Sequence, residues 1–280
     1  MVKKIFAQTY IWFILLLMYL PILILIAFSF TTATNVGEWT GFSFDLYTAL
    51  FLDKEIMTAL GNTVLLAVIS AVVSTVLGTM GAIGSFYSSK KVRSGIDSVT
   101  QIPIVNAEIV MALSLTVMFV FVGNIIFKAQ IFSFWTLLIG HIVLTIPFVY
   151  TSVKPKLAQM DPHLYEAAID LGATPQQALR KVIIPECFPG ILSGFLLAIT
   201  LSLDDFVITA FTRGTGLLSG DKQIETLSTL VQAKIKKGPI PPEMRALTTI
   251  IFVLVVIAVI LVTVYKNKNA NKQKIRKGRM

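Results

Sequence analysis

Residues 10–30 read YIWFILLLMYLPILILIAFSF, a run of 21 residues without one charge, set between Lys4 and Glu38. At ~1.5 Å per residue such a run spans ~30 Å as a helix, the thickness of a bilayer's hydrocarbon core. The stretch is not isolated. Similar runs occur at Asn62–Phe86, Ile102–Val122, Ile131–Thr151, Phe188–Phe211 and Ala246–Tyr265, interrupted only by Glu108 in the third and Asp204 and Asp205 in the fifth. Composition agrees: across 280 residues, hydrophobic side chains make up 55% and charged ones 14%, where a soluble globular chain carries roughly 25% charged residues. So few charges cannot cover a water-facing surface. The expectation is an all-α, polytopic membrane protein with six transmembrane helices, the first retained and not cleaved as a signal peptide.

Charge gives the orientation. The formal net charge is +9, but seven of the 24 Lys and Arg residues fall between Lys266 and Arg279. A basic run after an apolar helix suits an anionic membrane surface better than nucleic acid, so no nucleic-acid partner is expected. With both termini inside, sixteen Lys and Arg lie on the cytoplasmic side and eight outside, in line with the positive-inside rule. The six basic residues from Arg213 to Arg245 fall outside, in a connection long enough to weaken that rule. One cysteine, Cys187, excludes an intramolecular disulfide, and with two histidines it makes a dedicated metal site improbable. The chain divides into 1–54 (cytoplasmic end, first span and external loop), a core of 55–265, and a basic tail of 266–280. Gly61, Ser70, Ser74, Gly78, Gly81, Gly84 and Ser85 make the second span rich in small residues, which let helix backbones approach closely in lipid.

The connection 152–187 is far longer than two antiparallel spans require. Asp161-Pro162 predicts a helix start, Gly172 a left-handed C-cap, and Thr174-Pro175-Gln176-Gln177 a second start with a capping box. Ile183-Ile184-Pro185 is expected to close that second helix. The outcome is a helix–turn–helix, either seated in a partner's groove or lying on lipid headgroups.

Within it, Glu166-Ala167-Ala168, then Gly172, then Val182-Ile183-Ile184-Pro185 resembles the EAA signature of ABC-transporter permeases, with Val182 and Ile184 departing conservatively from the pattern. The resemblance implies a type I ABC importer permease fold, in which this cytoplasmic loop docks into an ATP-binding subunit. Glu166, Ala167, Ala168, Gly172 and Pro185 then form the ATPase-coupling contact. No G-x-x-x-x-G-K-[ST] loop occurs in the chain. No cofactor is therefore expected on this chain, and ATP and Mg belong to a partner ATPase dimer. The chain is then a transport subunit and not itself an enzyme.

Acids inside spans are costly and usually face a polar path, although helix capping, pairing with Arg213, or a surface position are the alternatives for Asp204 and Asp205. Glu108, Asp204 and Asp205 are the candidate substrate-path residues, and acids favour a cationic solute. The stretches Thr200–Val207, Phe211–Gly214 and Glu225–Ile250 are similar to permease subunits of spermidine/putrescine importers. That resemblance implies polyamine import, a second, related but non-identical permease chain, an external solute-binding protein, and a bacterial plasma membrane. Thiamine, ferric iron or another small cation are runner-up solutes. A secondary transporter or channel without an ATPase, using Glu108, Asp204, Asp205 and His141 as an ion path, is the reading from another class. His141 is expected to serve helix packing before proton relay. Ile224, Leu227, Leu230, Val231 and Ile235 have helical spacing and either fold back on the bundle or help dock the binding protein.

Overall fold

A computed structural model describes residues 2–33, 37–128, 131–216, 220–238, 241–257 and 260. The elements are α1 (Val2–Phe28), α2 (Asp45–Leu52), α3 (Lys54–Tyr87), α4 (Lys90–Val105), α5 (Glu108–Val122), α6 (Phe134–Gln159), α7 (Leu164–Asp170), α8 (Pro175–Ala178), α9 (Ile184–Asp204), α10 (Val207–Thr212) and α11 (Leu227–Lys237). A short ribbon pairs β1 (Thr215–Gly216) with β2 (Gly220–Gln223), antiparallel. Residues 243–257 are helical as well. Five helices among the described residues are long and apolar enough to cross a membrane: Gln8–Phe28, Lys54–Tyr87, Glu108–Ile126, Phe134–Gln159 and Pro175–Asp204. The predicted sixth span, Ala246–Tyr265, is helical through residue 257, and most of its remainder lies outside the described residues.

Three sequence boundaries need correction. Ile102–Val105 belong not to a span but to α4, an amphipathic helix with no buried residue that ends where Asn106 turns extended (ψ 147°). The span proper starts at Glu108 and runs through a π turn at Gly123–Phe127. Ile183-Ile184-Pro185 ends nothing: a π turn at Leu179–Ile183 carries α8 directly into α9. The wider turn leaves room for the ring of Pro185, which would otherwise crowd a carbonyl one turn back, and for its missing N–H. The expected span Phe188–Phe211 breaks at Asp205, which is extended (ψ 125°), and resumes as α10.

The chain divides into two compact units, residues 1–57 with 234–280 and residues 58–233. In the first, Phe30 stacks on Phe42 at 5.3 Å, Lys234 Nζ bridges Asp53 (3.6 Å) and Glu55 (3.1 Å), and Arg245 donates to the carbonyl of Ala33 at 2.8 Å. The second is built on the seam between α6 and α9, where Val149, Val153, Leu157, Ile183, Cys187 and Ala198 are buried together. Glycines set its closeness. A Cβ at Gly78 would lie 2.8 Å from Val149 Cβ, and one at Gly194 3.0 Å from Val149 Cα. Of the small residues in α3, Gly78 thus makes the close approach, while Gly61 and Gly84 face nothing within 4 Å. The segment 224–233 folds back: Ile224 packs with Leu66, Phe134, Leu137 and Leu138, and Leu230 is buried.

Candidate functional sites: an exposed hairpin and a helix break

The hairpin forms as its residues dictate, with one change at its start. Asp161 does not cap a helix at Pro162. Its Oδ1 accepts from the His163 N–H (3.0 Å), and α7 begins at Leu164. At the far end Gly172 takes φ +86°, its N–H bonds the Ile169 carbonyl (2.8 Å), and the Ala173 N–H reaches the Ala168 carbonyl (3.0 Å). Those two bonds are a Schellman cap, which needs a left-handed residue. The capping box is present: the Gln177 N–H donates to Thr174 Oγ1 (3.3 Å), and Gln177 Oε1 accepts from the Thr174 N–H (3.0 Å).

The hairpin has a buried side and a presented side. Ala168, Ala178 and Ile183 are buried, while Leu164, Tyr165, Leu179 and Val182 pack against the α6–α9 core. Tyr165 also meets the Tyr87 ring at 5.3 Å. Glu166, Ala167, Gly172 and Pro185 are exposed, and Leu171 is 89% exposed. Of the five residues singled out from the sequence, Ala168 therefore anchors the hairpin and the other four face outward. Glu166 sits 3.5 Å from His163, both well exposed, a pairing worth little in water. Beside this core, Asp97 of α4 holds Lys154 Nζ (2.6 Å) and the Tyr150 hydroxyl (2.6 Å), and Ser85 lies 2.8 Å from that hydroxyl. The Lys154 ammonium first, then the Tyr150 hydroxyl, hold the Asp97 carboxyl below the usual carboxylate range.

At the α9–α10 break the predicted acids separate. Asp204 is exposed at the end of α9, and Glu108 is exposed in the first turn of α5, where the helix dipole favours an acid. Ala112, Leu115 and Phe119 of α5 share a buried cluster with Ile208 of α10, so the helix that Glu108 opens packs at this break. Asp205 is buried. Its Oδ1 accepts from the Ile208 N–H (3.2 Å), and its Oδ2 from the Thr209 N–H (2.8 Å) and hydroxyl (2.9 Å). It caps α10, the alternative that sequence left open. Arg213 pairs with Glu225 at 4.0 Å. Ser228 donates to the Asp205 carbonyl at 2.7 Å, tying the returning segment to the same break.

His141, fully buried in α6, stands behind this cap. Its Nδ1 is 2.7 Å from Ser202 Oγ, its Nε2 3.0 Å from Thr209 Oγ1 and 3.5 Å from Asp205 Oδ2. Ser70 of α3 donates to Ser202 Oγ at 3.0 Å. Sequence reasoning read Ser70 only as a small packing residue and assigned no role to the hydroxyls of Ser202 and Thr209, because a hydroxyl in an apolar run carries no local mark of its distant partner.

Long apolar helices with a structured hairpin between two of them make this a polytopic membrane protein. The chain belongs to the family of binding-protein-dependent transport system inner membrane components, which it matches over residues 74–269. It is 32% identical over 252 residues to the spermidine/putrescine transport system permease protein PotC of Haemophilus influenzae, covering 90% of this chain and 93% of that protein. It is 33% identical over 264 residues to the putrescine transport system permease protein PotI of Escherichia coli, covering 92% and 89%. Among solved structures, a bacterial ABC transporter involved in the import of the acidic polysaccharide alginate superposes with a TM-score of 0.68 over 95% of this chain and 96% of that one. At 16% identity that likeness speaks for the fold alone. The chain is thus a multi-pass membrane permease of an ABC importer, and the channel or secondary-transporter reading is set aside.

Proposed function

We propose that this permease subunit imports polyamines, spermidine or putrescine, and is driven by ATP hydrolysis on a separate cytoplasmic ATPase dimer that docks on the Asp161–Pro185 hairpin. The observation that carries this reading is the hairpin's two-sidedness. Ala168, Ala178 and Ile183 fasten it to the α6–α9 core, while Glu166, Ala167, Leu171 and Gly172 face away from the bundle. A surface fixed so firmly on its inner side moves as one body with the spans when its outer side is pushed. ATP and Mg stay on the ATPase, and this chain holds no cofactor. Both termini lie in the cytoplasm, and the external side receives solute from a binding protein. A related, non-identical permease chain completes the path.

Exposed Glu108 and Asp204 supply attraction for a cationic solute. Relatives named for spermidine and putrescine transport support that class of solute.

Cross-linking tests the coupling. Leu171→Cys, with buried Cys187 the only native thiol, is expected to capture the nucleotide-hydrolysing subunit in the assembled complex. Failure to capture it from any exposed hairpin position overturns the docking assignment. For the solute, Glu108→Gln with Asp204→Asn is expected to raise the KM for putrescine uptake at least tenfold in vesicles while the ATPase stays bound. Unchanged uptake by the double variant removes the acidic path.

A further inference from the structure

The α9–α10 break is bridged by a single side chain. Ser202 precedes the break and Thr209 follows it, and the two nitrogens of His141 reach one each, at 2.7 and 3.0 Å. One ring tautomer gives both flanking hydroxyl protons an acceptor. Ser70 has two acceptors in reach, Ser202 Oγ at 3.0 Å and the Ala67 carbonyl at 3.2 Å, so it does not set the direction. The Thr209 proton goes to the Asp205 carboxylate, which leaves its oxygen to accept from Nε2–H. The Ser202 proton then has Nδ1 as its acceptor. This order leaves His141 neutral and protonated on Nε2. All five side chains are at most 5% exposed, so water has little access to replace a missing link.

We infer that His141 is a positioning residue for the transport path: a neutral clamp that fixes α10 against α9 across the break and thereby holds the end of α9 that carries exposed Asp204. The inference rests on the proposed acidic path for its transport consequence, but the clamp itself stands on the hydrogen bonds alone. Asp205, spent on the α10 cap and on this chain, acts in the same way, through geometry. The break is the place where a continuous span would otherwise bury Asp204 among lipid or helix neighbours. Ending α9 at Asp204 leaves that residue exposed, and the clamp keeps it there.

Two readouts test this on the assembled transporter in nanodiscs. The chain has only two histidines, so with the 15N-histidine label confined to this subunit the imidazole signals are assigned by comparison with His163→Gln. His141 is expected to show a neutral ring protonated on Nε2, and Thr209→Val, which keeps the shape and drops the hydroxyl, is expected to shift the Nε2 resonance. An imidazolium, an Nδ1-protonated ring, or a spectrum indifferent to Thr209→Val overturns the clamp. The second readout is kinetic. Thr209→Val and Ser202→Ala are each expected to raise the KM for putrescine about tenfold, the worth of one buried hydrogen bond, with ATPase binding and maximal rate little changed. A uniform loss of rate at constant KM overturns the positioning role. If wild type takes up no putrescine while the ring signature and its response to Thr209→Val hold, the solute assignment fails and the clamp survives.

Discussion

At Gly172 the backbone turns through φ +86°, yet a Cβ built there meets nothing within 4 Å. At Gly140, in the second turn of α6, the backbone is ordinary helix, yet a Cβ would sit 2.7 Å from Ile208 Cγ2 and 3.3 Å from Thr212 Oγ1 of α10. The hairpin needs glycine for its conformation and has space to spare. The break needs glycine for space and asks nothing of its conformation. The difference follows from what each region does with its surroundings. The hairpin keeps one face empty of its own chain, as the proposed docking requires, whereas the break has turned its polar groups upon one another and closed the gaps. Substitutions that separate volume from backbone conformation therefore test the contrast directly.

The largest effect is expected at position 140. Gly140→Val drives a branched side chain into fully buried Ile208, and overpacking of this kind costs about 3 kcal/mol. A thermal melt of the purified protein in nanodiscs is expected to fall sharply, and α10 amides are expected to exchange faster than those of α7. A melt like that of wild type would mean that α10 moves aside freely, and the picture of a tightly closed break would be wrong.

At position 172 the effect is next in size and of another kind. Gly172→Val forces a β-branched residue into the left-handed region, at about 1–2 kcal/mol, without any clash inside this chain. Gly172→Asn tolerates that conformation and is expected to leave the hairpin intact. The pair therefore separates two demands on one residue. If Asn restores the fold but not co-purification of the ATPase, the empty space above Gly172 is filled by the partner. If both variants bind as wild type does, the hairpin is not the docking face.

The same contrast explains what could be read from the sequence. The hairpin's signals are local: Thr174 and Gln177 cap a helix three residues apart, and Gly172 terminates another, so spacing alone places them. Apolar runs likewise locate the spans, because lipid imposes a length. What failed was long-range or cumulative. Asp205 looks like a mid-span acid because nothing near it in sequence announces that His141, 64 positions earlier, waits to share its cap. Pro185 looks like a terminator because a π turn, which has no sequence mark, absorbs it. Ile102–Val105 look like part of a span because their apolar character continues past the Asn106 turn. Asp97 was passed over too, since its partners Lys154 and Tyr150 lie on α6.

Asp97 supplies the smallest expected effect, and the one that carries the comparison into pH. It sits next to the hairpin's core but is partly open to water, with its side chain 21% exposed, whereas Asp205 at the break is shut away. Its carboxyl is held below the usual range by Lys154 and Tyr150, with Arg93 adding to the pull. A carboxylate depressed in the folded state stabilises fully above its unfolded pKa, about 3.9, and loses that contribution as pH falls through the lower folded value. Asp97→Asn is therefore expected to cost about 1 kcal/mol or less at neutral pH, as a partly solvated ion pair should. The gap between wild type and variant should close below about pH 4. Melts across that range decide it. A gap that persists undiminished at low pH would mean that the substituted amide fails by its shape and not by its missing charge. The hairpin's surroundings would then be as closed as the break, and the contrast between the two regions would not hold.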